Sequence, residues 1–209
     1  MITIIIVKKM ISFHGADHVR LTSEQAKQNR QRILETASRI FRLHGIEAVS
    51  VADIMNQSGF THGGFYNHFN SKEELAAEAV ACAFEKSAHN LSETFASARS
   101  PQKALEMVIA EYLNPAYRDS SAGGCPAAAL PADAARNGKE VQTAFADGID
   151  SYLDMFAAQM DGNKQEARQQ AVTLLSGLVG ALMLSRAVKT SNPNLSNELL
   201  SSARKQLCK

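Results

Sequence analysis

Three cysteines, Cys82, Cys125 and Cys208, are all that the 209 residues contain. No two have the spacing of a metal knuckle or a disulfide framework, and no secretory signal accompanies them, which points to a reducing cytoplasm. Catalytic signatures are equally scarce. The chain has no His-Glu-x-x-His, no nucleophile elbow and no phosphate-cradling glycine loop, and Ser176 and Asp133 have no histidine partner visible in the sequence. An enzyme, a bound metal and a cofactor are therefore not expected. Alternating strand patterns are missing beyond the first few residues, so the fold class is all-α. Met1 to Val7 is apolar but too short to span a membrane, and Lys8, Lys9 and the histidines after them spoil a signal peptide. Residues 1–20 are expected to be a disordered leader or arm, with Met10 as an alternative start. An arm ending near Arg20, joined by Lys27 and Arg30, could touch DNA; a solvated helix start capped at Thr22 with Gln25 is the other reading.

Net charge is also small, +1 over the whole chain, yet it is unevenly spread. Residues 20–72 hold seven Lys and Arg against four Asp and Glu, and residues 73–209 hold thirteen against sixteen. The N-terminal part is thus the basic part, as a nucleic-acid interface would be. The same part carries the most specific motif, Ser50 to Phe69. Ser50 with Asp53 at its third position reads as a helix cap, and Val51, Ile54 and Met55 fall on one face. Gly59 marks a sharp turn, and Thr61 reads as a second cap, so a short helix is predicted from about His62 to Phe69.

That second helix has a composition that stability alone would not choose. Two adjacent glycines, Gly63 and Gly64, forgo roughly 2 kcal/mol of helical preference relative to alanine. Bare backbone there suits close approach to a DNA major groove; tight packing against a neighbouring helix is the competing explanation. Phe65 and Phe69, four apart, should face inward. Thr61, His62 and Asn67 suit base edges, whereas Tyr66, His68 and Lys72 suit phosphate oxygens, with protonated His62 and His68 adding charge. Ser71 with Glu74 reads as another capping box, opening a long helix from Lys72 to about Ser97 whose positive end adds to the phosphate site.

The run RILETASRIFRLHGIEAVSVADIMNQSGFTHGGFYNHFNSKEELAAEA, residues 32–79, resembles the N-terminal DNA-binding domain of TetR-type transcriptional repressors. The resemblance rests on Ile33, Ala37, Phe41 and Gly45, on the turn at Gly59, on Phe65 to Phe69, and on Ser71-Lys72-Glu73. It implies a homodimer that grips a near-palindromic operator and whose helical C-terminal domains hold a small effector and the dimer interface. Effector binding then releases DNA. His62 stands where many relatives carry lysine or arginine, and Gly64 where many carry threonine or serine, which bears on base preference. The implied organisation is a helix-turn-helix domain over residues 21–70 and a helical ligand-binding and dimerisation domain over residues 71–209.

The C-terminal part reads as a series of helices. One is predicted over Ala104–Tyr117, one over about Pro126–Ala135 and broken near Pro131, one over Lys139–Met160, one over Glu166–Val188 and one over Leu195–Leu207. The fourth is apolar around much of its circumference, with small residues at Gly177 and Gly180. It could pair with the last helix and their symmetry mates across a two-fold axis, or simply lie at the centre of its own domain. Ser, Gly and Arg186 interrupt it, which argues against a membrane span. An effector site is expected among the aromatic residues of the middle helices, at Tyr112, Tyr117, Phe145 and Tyr152, although such a stripe also serves as core. An apolar or aromatic molecule is the expected occupant. Cys125, in Gly123-Gly124-Cys125-Pro126 at a helix start, is either a thiolate stabilised by free N–H groups, and so a redox or electrophile sensor, or a small buried residue at a tight turn. A helical adaptor that binds only protein is the remaining alternative, and it leaves the glycine pair unexplained.

Overall fold

The computed structural model describes residues 23–120 and 124–208, all helix and connecting turn, with no strand among the described residues. The leader, Arg20, the expected cap at Thr22 and Gly123 lie outside the described residues. The first helix, α1 (Ser23–His44), buries Ile33, Ala37, Ile40 and Phe41 on one face and ends at Gly45, which adopts φ +84°. The second, α2 (Val51–Ser58), starts with a complete capping box: Ser50 accepts from the Asp53 N–H, and the Asp53 carboxylate accepts from the Ser50 N–H. Gly59 closes it at φ +79°, a left-handed conformation that glycine adopts without penalty.

After Ser71 comes α3 (Lys72–Ser97), whose cap is only half of the predicted box. The Ser71 hydroxyl accepts from the Glu74 N–H, but the Glu74 carboxylate accepts from the backbone and side chain of Asn70 instead. Leu75, Ala76, Ala79 and Val80 are buried early in α3, where this helix packs on α1. A boundary at residues 70/71 therefore falls on a helix cap and separates no hydrophobic cores: one apolar cluster runs from Ile33 to Leu200.

The predicted helix over Ala104–Tyr117 is two helices, α4 (Pro101–Tyr112) and α5 (Pro115–Asp119). Pro115 has no N–H to continue α4 and disfavours helical backbone at Asn114, whose side chain instead caps α5 by accepting from the Tyr117 N–H at 2.9 Å. Pro131 likewise separates α6 (Pro126–Ala129) from α7 (Pro131–Arg136), as expected. Three long helices complete the body: α8 (Lys139–Ala157), α9 (Lys164–Val188) and α10 (Pro193–Leu207). Gly148 of α8 lets the Phe84 ring of α3 press against the helix backbone, since a Cβ there would lie 2.2 Å from Phe84 Cγ.

By length and composition α9 is apolar enough to cross a membrane, but it packs against α8 and α10. A polar knot pins its end: Arg118 donates to Ser196 Oγ at 2.8 Å and to Asn197 Oδ1 at 2.9 Å, while Ser185 and Ser196 bond each other. The two glycines of α9 have different surroundings. Gly177 is covered by Leu207 of the same chain, whereas a Cβ at Gly180 would meet nothing within 4 Å.

Candidate functional site

The predicted recognition helix is a 3-10 segment, His62–Asn67. Thr61 occupies the cap position but makes no side-chain cap bond, and the glycine pair weakens helical preference, so the segment closes on i→i+3 bonds. Gly64 N–H donates to Thr61 O at 3.0 Å, and His68 N–H to Phe65 O at 2.9 Å. Three residues per turn put positions three apart in line. Tyr66 thus stands over Gly63 and Asn67 over Gly64, each polar side chain beside a bare position. Phe65 and Phe69 are buried, with ring centroids 5.8 Å apart, while Tyr66 is 70% exposed. A Cβ at Gly63 would meet nothing within 4 Å, and one at Gly64 only the Met55 methyl at 3.6 Å. Intramolecular packing therefore gives no reason for Gly63. Ser50, Thr61, His62, Gly63, Tyr66 and Asn67 are all exposed, and Lys72 is half-buried with its ammonium 3.4 Å from Glu47 O.

Two residues offered as DNA contacts, His68 and Arg30, are engaged inside the domain. His68 is half-buried near Phe60, at 6.5 Å between ring centroids, and its carbonyl accepts from Arg30 Nε at 3.2 Å. Burial, and then the neighbouring Arg30 charge, lower its pKa from the ordinary 6.5, so it adds no positive charge near neutrality. Arg30 bonds Glu78 with both terminal nitrogens at 2.6 Å and sits 4.3 Å over the Phe69 ring. It is a strut between α1 and α3 and is not available as part of an arm.

The expected effector residues come together with one exception. Tyr112, Tyr117, Tyr152 and Cys125 line a single cavity of about 120 Å³, with Phe156, Val108, Leu175 and Leu178 as apolar walls. Phe145 lies elsewhere, edge-on to Phe84 at 5.4 Å and outside the lining. The hydroxyls of Tyr112 and Tyr152 are buried without a hydrogen-bond partner. Burial raises the pKa of each of the three phenols. Cys125 is fully enclosed, and burial raises its pKa too, outweighing the Ala127 and Ala128 N–H groups. Of the two readings of Cys125, burial thus favours the small residue enclosed at a tight turn: the four residues of α6 offer little field to offset desolvation.

The turn that carries Cys125 also touches the DNA-binding half. Arg42 of α1 donates through Nη1 to Gly124 O at 2.8 Å and through Nε to Ser38 O at 3.0 Å. Asp133 of α7 accepts from the Ile46 N–H, just past the end of α1, at 2.9 Å. A side chain at Gly45 would collide with that same carboxylate, 2.9 Å from its Cβ.

Comparison with known proteins bears on both halves. Residues 33–79 match the family described as bacterial regulatory proteins, tetR family, and residues 101–196 match the C-terminal domain of LmrA/YxaF-like transcriptional regulators. The chain is similar to the uncharacterized HTH-type transcriptional regulator YxaF of Bacillus subtilis, 30% identical over 171 residues, 80% of this chain and 90% of that one. The chain belongs to the TetR family. It also resembles HTH-type transcriptional regulator LmrA of the same organism, at 23% identity over 80% of this chain and 91% of that one. Among solved structures, a TetR transcriptional regulator from Chloroflexus aurantiacus superposes with a TM-score of 0.74 at 21% identity, covering 88% of this chain and 94% of that one.

The protein is accordingly a TetR-type transcriptional regulator with a DNA-binding helix-turn-helix and not an enzyme. Sequence reasoning missed Ser87, Asn90, Thr94 and Glu111 of the cavity and the Arg42 and Asp133 links. Only Arg42 lies within the run that carries the family resemblance, and a charged residue near a helix end gave no signal beyond solvation.

Proposed function

We propose that the chain is a cytoplasmic, homodimeric repressor that leaves a near-palindromic operator when a small apolar or aromatic molecule occupies the Tyr112, Tyr117 and Tyr152 cavity. On this reading Thr61, His62 and Asn67 read base edges, Ser50, Tyr66 and Lys72 hold phosphates, and Gly63 and Gly64 admit the groove. His68 supports the segment from within. The observation that carries the reading is the shared turn: the backbone at Gly124 is held by Arg42 of α1, and the neighbouring Cys125 lines the cavity. A ligand that displaces this turn moves the hydrogen-bonded end of α1, on which α2 packs, with α2 in turn packing on the recognition segment. It shifts the population towards a state with a different separation of the two recognition segments, which must sit about 34 Å apart to enter successive major grooves.

The dimer reading is supported by the outer face of α9 and the start of α10. Val172 is 45% exposed, Met183 37%, Leu184 57% and Leu195 38%. Together with the open Gly180 they form an apolar face suited to its own symmetry mate. Release through Cys125 oxidation is not favoured, because the thiol is enclosed and held in its protonated form.

A salt-titrated binding assay against DNA flanking the protein's own gene, with random duplex as competitor, tests the reading. Specific binding with a steep salt slope is expected. Failure to bind either duplex at low salt would falsify the operator claim.

A further inference from the structure

The cavity wall is mostly apolar, but its unmet groups are polar and chemically alike. Val108, Phe156, Leu175 and Leu178 supply hydrocarbon, while the Tyr112 and Tyr152 hydroxyls end in the cavity with no partner. Both adjoin the Cys125 sulfur, and Tyr152 also adjoins the Ser87 hydroxyl, without making a well-formed hydrogen bond to either. Sulfur is in any case a weak acceptor. Two buried O–H donors therefore await an acceptor. Charge is distributed just as selectively. No Lys, Arg or His belongs to the lining, and the one carboxyl group among the lining residues is that of Glu111, on an exposed position. Arg186, whose charge is felt by Tyr117, donates through Nε to the Arg118 carbonyl at 3.0 Å and leaves its buried Nη2 unpartnered, but it is not among the lining residues. In size the cavity, at about 120 Å³, is comparable with an apolar protein cavity of ~150 Å³ that takes benzene.

Taking this cavity as the effector site, we propose that it selects a neutral ring compound bearing a carbonyl or similar acceptor oxygen. The Tyr112 and Tyr152 hydroxyls recognise that oxygen, and Glu111 disfavours carboxylates. The apolar walls supply affinity that any ring of this size would share. Discrimination comes from the hydroxyls, because a ring without an acceptor leaves them buried and unmet. A carboxylate would in addition lose its hydration with no cation to replace it, beside a like charge.

Three probes of nearly one shape isolate these contributions: 1-indanone, indane and indane-1-carboxylate, titrated into the full chain by calorimetry. The ketone should bind at least tenfold more tightly than the hydrocarbon, and the carboxylate more weakly than either. Tyr112→Phe and Tyr152→Phe should each reduce the ketone preference, and the double variant should bring the ketone to hydrocarbon ratio near one. Thermal unfolding followed by circular dichroism, cooperative and helical in each variant, shows that the chain is still folded. Equal binding of ketone and hydrocarbon by the unmodified protein would overturn the proposal, as would a ratio that survives the double substitution. Preferred binding of the carboxylate would overturn it too. Binding of none of the three at millimolar concentration would remove the cavity as an effector site, and the proposal with it.

Discussion

Asp133→Ala tests whether the cavity half and the DNA-binding half are joined as described. The substitution removes the acceptor of the Ile46 N–H, held at 2.9 Å. Ile46 is 1% exposed and the Asp133 side chain 13%, so water has poor access to the abandoned amide. A buried donor left unmet costs about 1–3 kcal/mol. The Arg136 ion pair, 3.9 Å long with Arg136 64% exposed, adds under about 1 kcal/mol. Asp133→Asn retains the Oδ1 acceptor and loses only the charge, so it should cost less than about 1 kcal/mol. Urea unfolding of the three proteins measures the difference. Fluorescence anisotropy on operator DNA then measures the consequence: Asp133→Ala should keep operator affinity within severalfold while the bound effector releases less DNA. If alanine is as stable as aspartate, or asparagine costs as much as alanine, the acceptor is not what holds Ile46. If release is unchanged in a correctly folded Ala variant, this link carries no signal.

Three further outcomes are expected. Tyr66→Ala, at a position 70% exposed, should leave stability within about 0.5 kcal/mol but weaken operator and random duplex alike by about fivefold, as loss of a phosphate contact would; an effect confined to the operator would make Tyr66 a base reader. His68 is more easily deprotonated when folded than when unfolded, so its neutral form stabilises the fold fully above about pH 6.5, and stability falls as pH drops below that value. His68→Gln should flatten this dependence between about pH 5 and 7 in thermal unfolding, and an unchanged slope would assign it to other groups. Gly148→Ala drives a Cβ to 2.2 Å from the Phe84 ring, so overpacking of about 1–3 kcal/mol should exceed the gain of about 1 kcal/mol in helix propensity; a more stable variant would show that Phe84 can move aside freely.

What the sequence discloses about this molecule depends on how local each signal is. Ser50 with Asp53, Gly59, and the pause at Pro131 act within a few residues, and each is legible because the competing conformations are decided there. The cavity is different, because α3, α4, α5, α8, α9 and Cys125 at the cap of α6 each contribute part of its wall. Phe145 and Tyr152 illustrate the difficulty. Seven residues apart, they share a face of α8, so periodicity assigns both to the interior without separating the end that meets Phe84 alone from the end that reaches the cavity. The half-buried setting of His68 is hidden for a similar reason, since Phe60 and Arg30 approach it from beyond its own segment. The weak helical preference of the glycine pair was visible, but the tighter winding that follows from it depends on Thr61 failing to cap, which composition does not reveal.

The empty space around Gly63 has a practical side for anyone engineering this protein. A methyl group there touches nothing in the free chain and favours helix, so alanine should pass a thermal-shift screen and even improve on the original. Libraries sorted for heat resistance or soluble yield would thus fill this position with side chains, and their best performers would be those least able to lie against a duplex. On the proposed reading the constraint on Gly63 resides in a second molecule, and only a selection that includes DNA would register it.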